Sequence, residues 1–309
     1  MVSVNPFLYP ESPPVFNLRL IKRNRRWRHY NIDFPVASAS VYPGGETAKG
    51  EYFEPSEKND APLAILLHGW GDHSVIPFKL MVDGLLKRGV ACFILYLPFH
   101  AYRLPDRMKS RLSQLTADEW FIGYQMAVTD VRRIVDWMSL NGHLNHRQII
   151  VIGLSLGAFI SSIAMGVDQR IKAGIFIVHG GNSGKIMQLS RISNFRKTYR
   201  TSDEEYKKNQ ESYIKYLNEV TNKGFDSVSP EQRNFLIDPL TYAPMLRGRP
   251  TLMINALWDE LIPQEASLDF MNACGCKRIT FPSTHASIWI WYPMIVSRIN
   301  DFLKSSSII

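Results

Sequence analysis

The sequence predicts an α/β protein with a mostly parallel central sheet flanked by helices. Three observations carry that expectation. Apolar runs of strand length alternate with segments whose apolar residues recur every three or four positions. Several of those runs, such as PLAILL (62–67) and ACFILYL (91–97), are apolar throughout, as buried strands are. Gly153-Leu154-Ser155-Leu156-Gly157 stands where a strand-like run gives way to a helix-like one.

In chain order, the first 60 residues are expected to supply antiparallel strands. Within them RLIKRNRRWR (19–28) holds six positive charges and no acid, and reads as a solvated hairpin turning at Arg-Asn-Arg-Arg. Tyr30, Ile32 and Phe34 alternate inward on its second strand. The strand at 62–67 runs into His68-Gly69-Trp70-Gly71, a helix follows over about 76–88 before Gly89, and 91–97 is the next strand. Thr116 and Glu119 have capping-box spacing and open a helix carrying Tyr124, Ala127, Val131, Ile134 and Met138. It ends near Asn141-Gly142, and His143 and His146 fall in a surface-like turn. Strands are expected at 148–152, 171–178, 251–257 and 277–281, a helix from Leu156, and a closing helix with Pro293 in its first turn and Ile295, Ile299 and Phe302 on its inner face.

A long, mostly polar stretch between Val178 and Thr251 breaks this rhythm. Ser202 and Glu205 form a second capping box, opening a charged helix to about Val220, and Asp238 before Pro239 caps the end of the stretch. Insertions after strand C-termini border the ligand crevice of open α/β sheets. The expected organisation is an N-terminal β extension (1–60), a core made of 61–181 and 241–309, and a helical cap insertion (182–240).

Composition excludes several classes. With 45% hydrophobic and 21% charged residues over 309 positions, the chain is neither disordered, collagen-like nor a coiled coil. No apolar run reaches the roughly 18 residues of a membrane helix. The start, MVSVNPFLYPESPPVF, lacks a basic n-region and is broken by prolines, unlike a secretory signal. Three cysteines argue against a disulfide framework, so a cytoplasmic protein is expected. The net charge of +8 is concentrated in 19–28, so no nucleic-acid partner is expected. Cys274-x-Cys276 lacks the companions of a metal site.

The chemistry-bearing pattern is Gly-x-Ser155-x-Gly on a strand-to-helix turn. Small neighbours let the chain pass closely, and the serine hydroxyl stands at the positive end of the following helix. A serine hydroxyl is a weak nucleophile until a base takes its proton, so a histidine and an orienting carboxylate should accompany it.

With this motif the sequence resembles the α/β-hydrolase superfamily, of serine esterase or acyl hydrolase type. HGWGDHS (68–74) and Leu97-Pro98-Phe99-His100 are similar to the bacterial branches near dienelactone hydrolases and acyl peptidases. Dienelactone hydrolases use a cysteine nucleophile where this chain has Ser155, which argues against their particular activity. The resemblance implies an acid after a late strand and a histidine after the last one. Asp259, just past 251–257, and His285, just past 277–281, occupy those places. Glu260 is the rival acid and Asp238 a second candidate, read rather as a cap, whereas none of the other histidines lies downstream of Asp259. The resemblance also implies an oxyanion hole from the Leu156 amide and that of Trp70, with Gly71 as the alternative. His68, Gly69, His100 and His179 are candidate pocket residues, and Gly180 to Lys185 a lining loop that misses phosphate-loop spacing. Trp289, Trp291 and Tyr292 read as core.

The implied activity is cleavage of a carboxylic ester of a small-molecule acyl substrate through a Ser-His-Asp triad, with no metal or organic cofactor. Thioesters, lactones and small peptides share that chemistry. A non-catalytic binding protein on the same fold is the rival, and it predicts Ser155 and His285 out of hydrogen-bond reach.

Overall fold

The computed structural model describes residues 5–10, 12–37, 45–56, 60–71, 75–100, 103–110, 112–140 and 144–309. Asp72, His73 and His143 lie outside the described residues.

Nine strands make one sheet: β1 (Asn17–Arg23), β2 (Trp27–Pro35), β3 (Thr47–Pro55), β4 (Ala61–Leu67), β5 (Ala91–Tyr96), β6 (Leu144–Leu154), β7 (Ile171–Ile177), β8 (Thr251–Ala256) and β9 (Lys277–Phe281). Their order is β1-β2-β3-β5-β4-β6-β7-β8-β9. The first three pairings are antiparallel and the remaining five parallel, from β5 to β9. This is the mostly parallel sheet that the sequence predicts.

Every residue of β4 and β5 is buried, because helices cover both faces. The period-two alternation of a strand divides their side chains between two cores. Leu63, Ile65 and Leu67 pack toward α2 (Ala117–Leu140) and α3 (Leu156–Val167), whereas Ala64 and Leu66 pack toward α1 (Ile76–Leu86) and α9 (Tyr292–Ser305). Each fully buried Leu or Ile contributes about 1.5–3 kcal/mol relative to exposure.

The basic segment forms the expected hairpin. Asn24 Oδ1 accepts the amides of Arg26 (2.8 Å) and Trp27 (2.9 Å), closing the turn. Ile32 and Phe34 are buried on β2, and all seven residues of β1, at the sheet edge, are exposed. Acids interrupt the apolar pattern of β3. Their partners come from other elements: Glu51 accepts from Tyr96 (2.5 Å) and pairs with Lys79 (2.8 Å) and His29 (2.9 Å), and Glu54 pairs with Arg28 (3.0 Å).

Both capping boxes start helices. Thr116 Oγ1 accepts the Glu119 amide (3.2 Å) while Glu119 Oε2 accepts the Thr116 amide (2.9 Å), the reciprocal pair at the head of α2. Ser202 Oγ accepts the Glu205 amide (3.2 Å) at the head of α6 (Asp203–Lys223). Two expectations change. β6 begins at Leu144, earlier than 148, because Ala61 pairs with Leu144, so His146 lies in a strand and not in a turn. A further helix, α8 (Gln264–Cys274), joins β8 to β9; its buried stripe of Ala266, Phe270 and Cys274 includes two small residues and is faint in the sequence.

Between β7 and β8 lie α4 (Ser183–Leu189), α5 (Ser193–Tyr199), α6 and α7 (Pro239–Tyr242). Asp238 does more than cap α7 through the Leu240 amide (2.9 Å). Its carboxylate also accepts the amides of Asn182 (2.9 Å) and Ser183 (2.5 Å), so the two ends of this stretch are joined at one side chain. Tyr213, Tyr216, Val220, Phe225 and Phe235 sink into the α2–α3 core, so the stretch is less solvated than its polar sequence suggests. No helix among the described residues is long and apolar enough to cross a membrane.

Candidate active site

Ser155 occupies the single residue between β6 and α3, with φ 49° and ψ −113°. A non-glycine residue at positive φ is strained and persists only where its surroundings hold it. Here its amide donates to the Ile177 carbonyl of β7 (2.9 Å), and its carbonyl accepts from Ala158 (2.9 Å) and Phe159 (3.1 Å). The flanking glycines are required by space. A Cβ on Gly153 would collide with the backbone of Gly157 and Ala158, and one on Gly157 with the carbonyls of Leu67 and His68. The first turn of α3 is thereby pressed against the end of β4.

His285 Nε2 stands 3.0 Å from Ser155 Oγ. Its Nδ1 faces both carboxylate oxygens of Asp259, at 3.0 and 2.9 Å. Asp259 is buried, and its Oδ1 also accepts the amides of Leu261 (2.9 Å) and Ile262 (2.8 Å), which fix the carboxylate plane. Glu260 turns elsewhere: its Oε2 accepts the backbone amide of His285 (2.9 Å). The ring is therefore oriented by Asp259 and its loop by Glu260. Ser155 and His285 are half-buried, leaving the pair open to a ligand.

The Leu156 and Gly157 amides belong to the first turn of α3, where helix amides have no intrahelical acceptor. Beside them runs the loop after β4. There the Trp70 ring packs against Trp120 (5.1 Å between centroids) and edge-on to His100 (4.7 Å).

The model of the family described as "Alpha/beta hydrolase domain containing 18" matches residues 40–183, a span that includes Ser155 and ends before Asp259 and His285. Among solved structures, a cold-adapted esterase from an Arctic intertidal metagenomic library aligns at 17% identity and a TM-score of 0.60, over 93% of this chain and 98% of that one. An acetyl xylan esterase from Paenibacillus sp. R4 aligns at 16% identity and a TM-score of 0.63, over 95% and 89%. An esterase of Pyrococcus furiosus aligns at 15% identity and a TM-score of 0.54, over 94% and 93%. The chain has the α/β-hydrolase fold. No curated protein matches the sequence.

In this fold the candidate pocket histidines are internal. His68 is buried, its Nε2 accepting the Leu97 amide (3.1 Å) and its Nδ1 donating to the Gly69 carbonyl (2.7 Å), so it ties β4 to β5. Gly69 approaches Leu154, with room for no more than a tight Cβ contact. His100 is buried behind Trp70, its Nδ1 bonded to the Pro98 carbonyl (2.8 Å). His179 is a correction: it lines no open pocket, being fully buried among the rings of Phe159, Phe176 and Phe270. Burial there holds its imidazole well below the usual histidine range. Asn182 to Lys185 form the turn and start of α4. Trp289 and Trp291 are half-buried against the α1–α9 core, closer to the expected core role than to a free platform.

One group of residues at the site went unmarked in the sequence. The Arg191 amide donates to the Glu260 carbonyl (2.7 Å), its guanidinium to the Asp259 carbonyl (3.3 Å), and Ser190 Oγ to Glu260 (3.2 Å). From there α5 runs to Tyr199, whose hydroxyl accepts from Trp120 Nε1 (3.3 Å), and Trp120 packs on Trp70. Midway, Phe195 packs against the buried cluster of Ile186, Ile262 and Ala266, as do Leu261 and Phe159, the last one helical turn beyond Ser155. α5 thus bridges the acid turn and the loop after β4. Only the run of cations in RISNFRKTYR (191–200) could have marked it.

Proposed function

We propose that the protein is a serine hydrolase that cleaves a carboxylic ester through an acyl-enzyme. The observation that carries this reading is the unbroken chain of contacts from Ser155 Oγ through the His285 ring to Asp259 (3.0 Å, then 2.9 Å). His285 Nε2 takes the serine proton as Oγ bonds to the acyl carbon. The same nitrogen then gives that proton to the departing alcohol. Asp259 holds the proton on Nδ1 and balances the imidazolium charge. The Leu156 and Trp70 amides hold the oxyanion, and α3 contributes the positive end of its dipole. Water, deprotonated by His285, attacks the acyl-enzyme and releases the acid. Residues 182–240 act as a cap, with α5 lying across the approach to Ser155. Thioesters, lactones and small peptides fit the same steps.

The test is mass detection of a fluorophosphonate adduct on the wild type and on Ser155→Ala. One adduct on the wild type and none on the folded variant supports the reading. An unlabelled, folded wild type overturns it.

A further inference from the structure

The acid turn borders a cavity of about 460 Å³ lined by Arg191, Ser193, Arg196, Lys197, Arg200 and Thr201. Four cations and no acid occur in residues 191–200. Arg200 shares its charge with Asp203 (3.1 Å). Among the described residues Arg191, Arg196 and Lys197 pair with no carboxylate, so about three positive charges face one groove. Gathering like charges costs energy without a counterion, and most natural surfaces intersperse the two signs. Two hydroxyls, Ser193 and Thr201, stand in the same lining. Planar guanidinium donors, an ammonium and hydroxyls together match an oxyanion with three acceptor oxygens and close to two charges.

Placement ties the groove to chemistry. Arg191 holds the carbonyls of Asp259 and Glu260, the residues that fix the ring and the loop of His285. The groove therefore shares Arg191 with the turn that holds His285, the residue from which a departing alcohol collects its proton. We infer that this groove binds a phosphate monoester dianion carried on the alcohol portion of the ester that the protein cleaves. The inference rests on the serine-hydrolase reading and adds to it a substrate class: acyl esters of phosphorylated alcohols. Cleavage forms the bond from water oxygen to the acyl carbon and breaks the bond to the alcohol oxygen, which leaves protonated; the phosphate group is untouched.

The test uses two esters with the same acyl group, 2-(butyryloxy)ethyl phosphate and the neutral 2-(butyryloxy)ethyl methyl ether, with butyrate release followed for each. The wild type should prefer the phosphate ester in kcat/KM by about tenfold or more in dilute buffer, the preference shrinking as salt screens the groove. Arg196→Gln with Lys197→Gln should cut that ratio by about fivefold or more, mainly through KM. Lys207→Gln with Lys208→Gln, on the exposed face of α6 outside the groove, should keep it. A wild-type ratio near one, or a ratio unmoved in the Arg196/Lys197 variant, overturns the groove assignment while fluorophosphonate labelling of Ser155 leaves the hydrolase reading standing. Neither ester cleaved and no labelling overturns both.

Discussion

Glu260 accepts the backbone amide of His285 while its neighbour Asp259 faces the ring of the same histidine. Two adjacent carboxylates thus hold one residue at two points, and their replacements should separate. Asp259→Asn keeps the shape and favours the wrong tautomer, so kcat should fall by about 10⁴-fold. Glu260→Ala frees the loop and leaves the ring partner in place, so the loss should be about 10–100-fold, with Glu260→Gln restoring most of it. Equal losses in steady-state kinetics for Asp259→Asn and Glu260→Ala would refute this division.

Gly157→Ala and Gly84→Ala should move stability in opposite directions. The first drives a methyl group into the backbone of Leu67 and His68, at a cost of about 3 kcal/mol. The second adds a helix former inside α1, where a Cβ meets nothing closer than an Arg88 nitrogen at 3.8 Å, and should gain about 0.5–1 kcal/mol. Urea midpoints of the two variants decide it.

His179 ties stability to pH. Its folded-state pKa is depressed by burial, and neither ring nitrogen has a hydrogen-bond partner among the described residues. The unfolded chain therefore binds a proton that the folded chain refuses, and stability falls as pH drops below about 6.5. His29, also held low by burial, adds to the same trend. His179→Phe, joining three phenylalanines, should flatten this acid limb in melts taken from pH 7 to pH 5. A limb of unchanged slope would mean that other groups set it.

Asp130 and Arg103 form a fully buried ion pair (2.7 Å) that also holds the Tyr96 carbonyl. Burial pushes the Asp130 carboxyl up, opposed by Arg103. Asp130→Ala strands the guanidinium and should cost about 3–5 kcal/mol, whereas Asp130→Leu with Arg103→Met should recover much of it. Chemical denaturation of both variants checks this.

The sheet was legible because most of its parallel strands carry a short apolar run followed by a turn signal, and Ser155 because its glycines are required by backbone contact. Asp259 and His285 could be located by their places after late strands, but the choice between Asp259 and Glu260 depends on side-chain direction, which spacing does not encode. His68, His100 and His179 look like pocket residues in sequence since each follows a strand. They are internal because neighbouring rings and carbonyls close over them, a tertiary matter. The role of α5 was hidden for the same reason: Arg191 meets Asp259 only after a long excursion of the chain.

The outer edge of β1 leaves Leu18, Leu20 and Ile21 uncovered beside a run of cations. An open strand edge is a template for another edge, and two copies approaching there would each present the same six positive charges. Mutual repulsion keeps such edges apart in dilute buffer and fades once the screening length drops to about 3 Å in molar salt. The hairpin's charge then acts as a colloidal stabiliser, and concentrated salt is the condition under which this chain is most prone to stack on itself.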